Sequence, residues 1–123
     1  MRGQRLFVRP IEKDDRSAIE AFLTANGNAS DPASCGLLGK LVGDLVAVLT
    51  FELTPNALQI ANLVVAPDFR RKRIGRFMLD EASRLARKMD RKQLVIEHPG
   101  PAREFFSRAG FSGDEKRMVR RVE

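Results

Sequence analysis

Residues 63–79 read LVVAPDFRRKRIGRFML, and the character of the chain changes twice within them. Leu63, Val64 and Val65 close a strand predicted over 57–65; this end is continuously apolar and expected to be buried on both faces. Pro67 stops it, and Arg70, Arg71, Lys72, Arg73 and Arg76 crowd the turn that follows. Ile74, Met78, Ala82, Leu85 and Met89 then recur at 4-4-3-4 spacing, the apolar stripe of a helix. The first N–H groups of a helix have no partners within it, and its dipole is positive there. With the cations, and with Gly75 to let the backbone come close, they suit a phosphate. The bland alternative is a solvated charge run. Positive charge at a helix start opposes the dipole, which makes a purely surface role less comfortable.

Outward from this stretch the rest of the fold can be read. Residues 93–97 (QLVIE) form a short strand after the helix. A strand–helix–strand unit over 57–97 makes its two strands parallel through a right-handed crossover. Ligands of such sheets favour the carboxyl ends of the strands, where helix N-termini also point. Upstream, Leu6 and Val8 mark a first strand ended by Pro10. A helix follows, with Asp14 or Asp15 as its cap, Ala18, Ile19, Phe22 and Leu23 as its face, and Gly27 as its stop. Residues 28–36 are turn-rich loop. Two apolar runs, 37–42 and 45–53, flank Gly43-Asp44 as a hairpin. Downstream, Gly100-Pro101 opens a helix with Ala102, Phe105, Phe106 and Ala109 on its face, and Gly110 ends it. Phe111 returns to the core, and Met118, Val119 and Val122 mark a last strand. The order β-α-β-β-β-α-β-α-β gives an α/β fold with a mixed sheet, as one domain over 1–123.

Composition narrows the chemistry. The net charge of +6 is uneven: residues 1–69 hold 6 basic and 8 acidic side chains (−2), and residues 70–123 hold 16 and 8 (+8). That asymmetry points to an anionic ligand on the C-terminal half: a phosphorylated cofactor, a nucleic acid or a membrane surface. Tyr and Trp are absent, so only Phe could stack on single-stranded nucleic acid. The single cysteine, Cys35, excludes an internal disulfide and a cysteine-based zinc site. With one histidine, a metal would need carboxylates alone, and none cluster suitably. No apolar run approaches the ~20 residues of a membrane span. A cytoplasmic location is expected.

The stretch at 63–79 resembles motif A of the GCN5-related N-acetyltransferases, whose pattern is L-x-V-x-P, a short gap, then [Q/R]-x-x-G-x-[G/A]. Leu63, Val65, Pro67, Arg70 and Gly75 match it. Residues 102–111 (AREFFSRAGF) are similar to the family's second signature, A-x-x-F-Y-x-[K/R]-x-G-F, through Ala102, Phe105, Arg108, Gly110 and Phe111. The element order agrees along nearly the whole chain. The resemblance implies acetyl-CoA as donor and a primary amine, on a small molecule or a peptide, as acceptor. It implies that the fourth and fifth strands splay, and that pantetheine pairs with the backbone of Leu63 and Val65 like a missing strand. Backbone from Arg71, Lys72, Arg73, Ile74, Gly75 and Arg76 would hold the pyrophosphate, and Val64 and Val65 would face the thioester oxygen. Only 12 residues follow Phe111, short for the family, so a homodimer completing the acceptor side is expected.

Three departures bear on chemistry. The first motif glycine is Arg73, which either crowds the pyrophosphate or turns its guanidinium outward to bind it. The family's tyrosine, which protonates the leaving thiolate, is Phe106; a Phe at this spacing is otherwise core, or else lines the thioester end. The asparagine often found after the fifth strand aligns near Pro99. Polar positions on the fourth strand are Gln59 and Asn62, neither a base. Glu52, Glu97 and His98 remain as base candidates, the last two at the end of the fifth strand. A lysine amine of pKa ~10.4 is neutral about once in 2,500 molecules at pH 7, but an α-amine of pKa ~7.8 more than a tenth of the time. An enzyme lacking a base therefore favours an α-amine or another weakly basic nitrogen as acceptor. The alternatives are an acyl-CoA-binding or interaction domain with little or no turnover, and a nucleic-acid-binding module.

Overall fold

The computed structural model describes residues 6–26, 35–41, 43–67 and 73–122. Their strands are β1 (Leu6–Pro10), β2 (Gly36–Leu41), β3 (Asp44–Leu53), β4 (Ala57–Val65), β5 (Gln93–Glu97), β6 (Ser112–Gly113) and β7 (Arg117–Arg121). The helices are α1 (Arg16–Ala25), α2 (Ile74–Lys88) and α3 (Arg103–Arg108), with 3-10 turns at Lys13–Asp15 and Gly100–Ala102. The strands form one sheet in the order β1-β2-β3-β4-β5-β7-β6. It is mixed, as expected: β4 and β5 are parallel, while β1–β2, β2–β3, β5–β7 and β6–β7 are antiparallel. The chain forms two compact units, Met1–Thr50 with Asn62–Met78, and Phe51–Ala61 with Leu79–Glu123.

In the first unit, Ile19 and Leu23 of α1 pack on Leu38, Val48 and Val64, with Ile11, Phe22 and Leu45 around them. Burying each such side chain contributes about 1.5–3 kcal/mol. The neighbouring pair Gly39 and Ala47 turns to the opposite face, because side chains alternate along a strand. There a Cβ on Gly39 would lie 3.1 Å from Met78 Sδ and 3.3 Å from Leu6 Cδ1. Glycine therefore lets the first turns of α2 seat closely on this face, and α1 covers the other. Arg9 forks onto Asp15 at 2.7 and 2.8 Å, tying β1 to the entrance of α1. Asp15 also accepts the Glu12 N–H at 2.7 Å, and these bonds, Arg9 first, lower its pKa to about 2.

In the second unit, β5 lies between β4 and β7, and Leu94, Ile96 and Met118 are buried. Phe106 stacks edge-on against Phe105 and Phe111, with centroids 5.1 and 5.2 Å apart. Arg120 of β7 reaches Asp80 of α2 at 2.9 Å. The helix ends with Asp90 in the left-handed region at φ 58°. Asp90 N–H donates to Arg87 O at 3.1 Å, and Arg91 N–H to Ala86 O at 2.7 Å.

Several expectations shift in detail. Asp15 stands at the N-cap position of α1 but makes no side-chain cap bond; its carboxylate serves Arg9 and the 3-10 turn. That turn delays α1 to Arg16, so Ala18 is exposed while Ile19 and Leu23 are buried. The stop expected at Gly27 lies outside the described residues; Asn26 caps the helix, donating to Phe22 O at 2.7 Å. Met89 has the spacing of the α2 stripe but falls past the last turn and is exposed, and Ala86 is buried. The 3-10 turn at Gly100–Ala102 rephases α3: Phe106 and Ala109 face inward, whereas Ala102 and Phe105 are exposed. β6, two residues long and unexpected, carries no period to read. The apolar end of β4 is not buried on both faces, since only Val64 is buried and Leu63 and Val65 are half-exposed. The parallel register joins Ala57–Ile60 to Gln93–Ile96, and β4 runs on to Val65 past its end.

Candidate active site

Two strand-to-helix junctions carry the residues singled out above. The first leads from β4 into α2. Ala66 N–H donates to Val46 O at 2.9 Å, which ties the start of this junction to β3. Arg70, Arg71 and Lys72 lie outside the described residues. Arg73 stands at φ 61°, the left-handed conformation in which glycine is at ease. Its carbonyl accepts the Phe77 N–H at 3.0 Å, which makes it the N-cap of α2. A guanidinium has no acceptor with which to cap the first-turn amides. No acidic residue occupies the first turn of α2. Ile74 and Gly75 are buried, while Arg73 and Arg76 are exposed. The junction thus presents a helix start, with its positive dipole end, and two exposed cations.

The second junction leads from β5 towards α3. Glu97 is the last residue of β5 and is exposed. Gln59 Nε2 donates to its Oε1 at 2.9 Å. His98 adopts φ 51°, and its N–H donates to Lys116 O at 2.9 Å. The Lys116 and Arg117 N–H groups donate to Asp114 Oδ1 at 2.9 and 3.2 Å; these bonds hold the Asp114 carboxyl below its ordinary range and brace the turn behind His98. Pro99 is buried, and its carbonyl accepts the Ala102 N–H at 3.1 Å.

Of the other candidates, Glu52 is exposed on β3 and Asn62 is half-buried on β4. Phe106 is a core residue, enclosed by Phe105 and Phe111. Cys35 is exposed just ahead of β2. Three described residues other than glycine have positive φ: Arg73, Asp90 and His98. Asp90 is accounted for by the end of α2; the other two sit at the two junctions. In the sequence Gln59 is marked only as a residue that is not a base; its bond to Glu97 depends on the parallel register that joins β4 to β5, which is a tertiary fact. Among the described residues no three His, Cys, Asp or Glu side chains gather as metal ligands, and no helix is long and apolar enough to cross a membrane.

The family model of the GNAT acetyltransferases matches residues 4–111, which include both junctions. The chain belongs to the GNAT family. Acetyl transfer is therefore its activity class. The mixed seven-stranded sheet and three helices are the GNAT fold. A GNAT N-acetyltransferase from Escherichia coli (YhbS), solved with CoA, superimposes at TM-score 0.81 and 15% identity, over 100% of this chain and 84% of that one. N-acetylglutamate synthase from Neisseria gonorrhoeae, solved with CoA and N-acetyl-glutamate, matches at TM-score 0.81 and 17% identity, over 97% of this chain and 35% of its own. The ribosomal-protein-S18-alanine N-acetyltransferase of Escherichia coli matches at 0.76 and 15%, over 97% and 95%. No curated protein matches the sequence.

Proposed function

We propose that this protein transfers the acetyl group of acetyl-CoA to an α-amine, with both substrates bound at once. The observation that carries the reading is the β4–α2 junction: a glycine-type backbone at Arg73, the start of a 15-residue helix after it, and exposed Arg73 and Arg76. These groups suit the diphosphate of CoA. The end of β4, where Leu63 and Val65 are half-exposed, suits the pantetheine arm. The family match spans both compact units, which supports reading 1–123 as one catalytic domain.

In the step itself the acceptor ammonium gives a proton to the Glu97 carboxylate. The nitrogen lone pair then forms the new C–N bond at the thioester carbonyl, and the C–S bond breaks. The sulfur leaves as thiolate, the acylated nitrogen gives up its second proton and the thiolate takes one up through solvent; Glu97 then returns its proton to water, giving amide, CoA and one released proton. The chain has no tyrosine to act as acid, and Phe106 is in the core. A thiol of pKa about 8.5 leaves tolerably as the anion, so the chemistry tolerates this loss. An exposed carboxylate is a weak base, which favours an acceptor that is often neutral at pH 7. Two structural neighbours support the α-amine: one is solved with N-acetyl-glutamate and another acts on an alanine, and neither amino acid has an amine in its side chain.

Calorimetry with CoA, followed by thiol release with an amine panel, tests the reading. Heat on CoA addition and a higher kcat/KM for α-amines than for lysine ε-amines are expected. Absence of heat overturns it. Heat without thiol release would favour an acyl-CoA-binding module, for which the buried Phe106 is the supporting observation.

A further inference from the structure

We propose that Gln59 is a positioning residue for acetyl transfer: its side-chain amide draws the Glu97 carboxylate towards β4 and away from Arg117. The inference rests on the acetyl-transfer reading above. In the parallel register Gln59 lies opposite Val95, and so diagonal to Glu97 on the same face of the sheet. From there Nε2 reaches Oε1 at 2.9 Å. In the antiparallel register on the other side, Arg117 stands directly opposite Glu97. Opposite charges in that position ordinarily attract. Among the described residues, however, Glu97 makes no ion pair with Arg117, and its bond is to the neutral amide of Gln59.

The choice of partner matters chemically. A guanidinium would favour the charged carboxylate and oppose proton uptake. It would also aim the carboxylate at β7. A neutral amide fixes one oxygen without adding charge, and Oε2 keeps its lone pairs for an incoming ammonium. Gln59 is half-buried and Glu97 exposed, so the orienting group is the anchored one and the reacting group meets solvent. The amide thus stands on β4 and the carboxylate on β5.

The test is steady-state kinetics on the full chain with acetyl-CoA and an α-amine acceptor. Gln59→Leu should lower kcat about tenfold and leave KM for acetyl-CoA unchanged; Arg117→Ala should leave kcat unchanged. In a Glu97→Gln background, Gln59→Leu should cause no further loss, since its effect runs through that carboxylate. Gln59→Glu, nearly isosteric, sets two carboxylates together and should move the acidic limb of the pH–rate profile upward by about a unit or more. That variant decides the matter if Gln59→Leu folds poorly. Equal kcat for Gln59→Leu and the parent, additive losses in the double variant, or an unmoved acidic limb in Gln59→Glu each overturn the proposal. CoA calorimetry on the parent separates the levels: heat with additive losses sinks this inference alone, and no heat sinks the underlying reading with it.

Discussion

The β4–α2 and β5–α3 junctions share a backbone device and differ in what they present. Each contains an exposed residue other than glycine at positive φ, Arg73 in one and His98 in the other. Such a conformation costs of order 1–3 kcal/mol and persists where surrounding structure enforces it. After Arg73 comes a helix of 15 residues with no acidic residue in its first turn. After His98 come a 3-10 turn and a helix of 6 residues, with Glu104 in its first turn. The first junction leads into a long helix beside exposed arginines. The second offers a carboxylate held by an amide. The same backbone state therefore stands in two different settings, and the length of the following helix and the charge in its first turn separate them.

The largest expected effect tests whether the second junction does the chemistry. Glu97→Gln should lower kcat ~10²- to 10⁴-fold, the usual range for a general base, while CoA affinity by calorimetry stays as in the parent. Equal loss of CoA binding would erase the distinction between the junctions. Next in size, Arg76→Glu should weaken CoA binding by about tenfold, an effect that shrinks at 1 M salt because the site is exposed. A change in kcat at saturating acetyl-CoA would instead assign Arg76 to catalysis. Arg73→Gly sharpens the comparison further. Relief of the left-handed conformation should stabilise the fold by about 1 kcal/mol and raise Tm by a few degrees. A fall in Tm would mean that the Arg73 side chain contributes more than its backbone state costs.

The smallest effect on turnover is expected outside both junctions. Asp15→Asn should leave kcat unchanged but lower Tm at pH 7, because the fork to Arg9 is lost. With the folded pKa near 2 and the ordinary value near 3.8, this stabilisation is full above the ordinary value and is lost as pH falls through about 2. The gap in Tm between variant and parent should therefore close over that range. A constant gap down to pH 2 would deny the carboxylate its role.

Much of the fold was legible. The strands at Ala57–Val65 and Gln93–Glu97 were read at their observed bounds, because turn residues bracket apolar runs there. The faces of α1 and α3 are legible at their centres, Ile19 and Leu23 in one and Phe106 and Ala109 in the other, while Ala18, Ala102 and Phe105 fall outside them; each helix is preceded by a 3-10 turn whose tighter winding leaves no mark in residue spacing. At the site, the motif positions were legible as residue types. The state of Arg73 was not, since an arginine carries no signal that its backbone will adopt a glycine's conformation.

The sequence by itself determined the element order, the parallel crossover, the basic turn before a helix and the family pattern that these share. Each depends on residues near one another along the chain, where periodicity and turn chemistry act directly. Only the tertiary structure decided that Gln59 meets Glu97, that Arg9 grips Asp15 and that Glu97 stands opposite Arg117 without pairing to it. Pairing register and side-chain direction arise from contacts between segments far apart in the chain. A slip of one residue would have turned every one of those side chains to the other face.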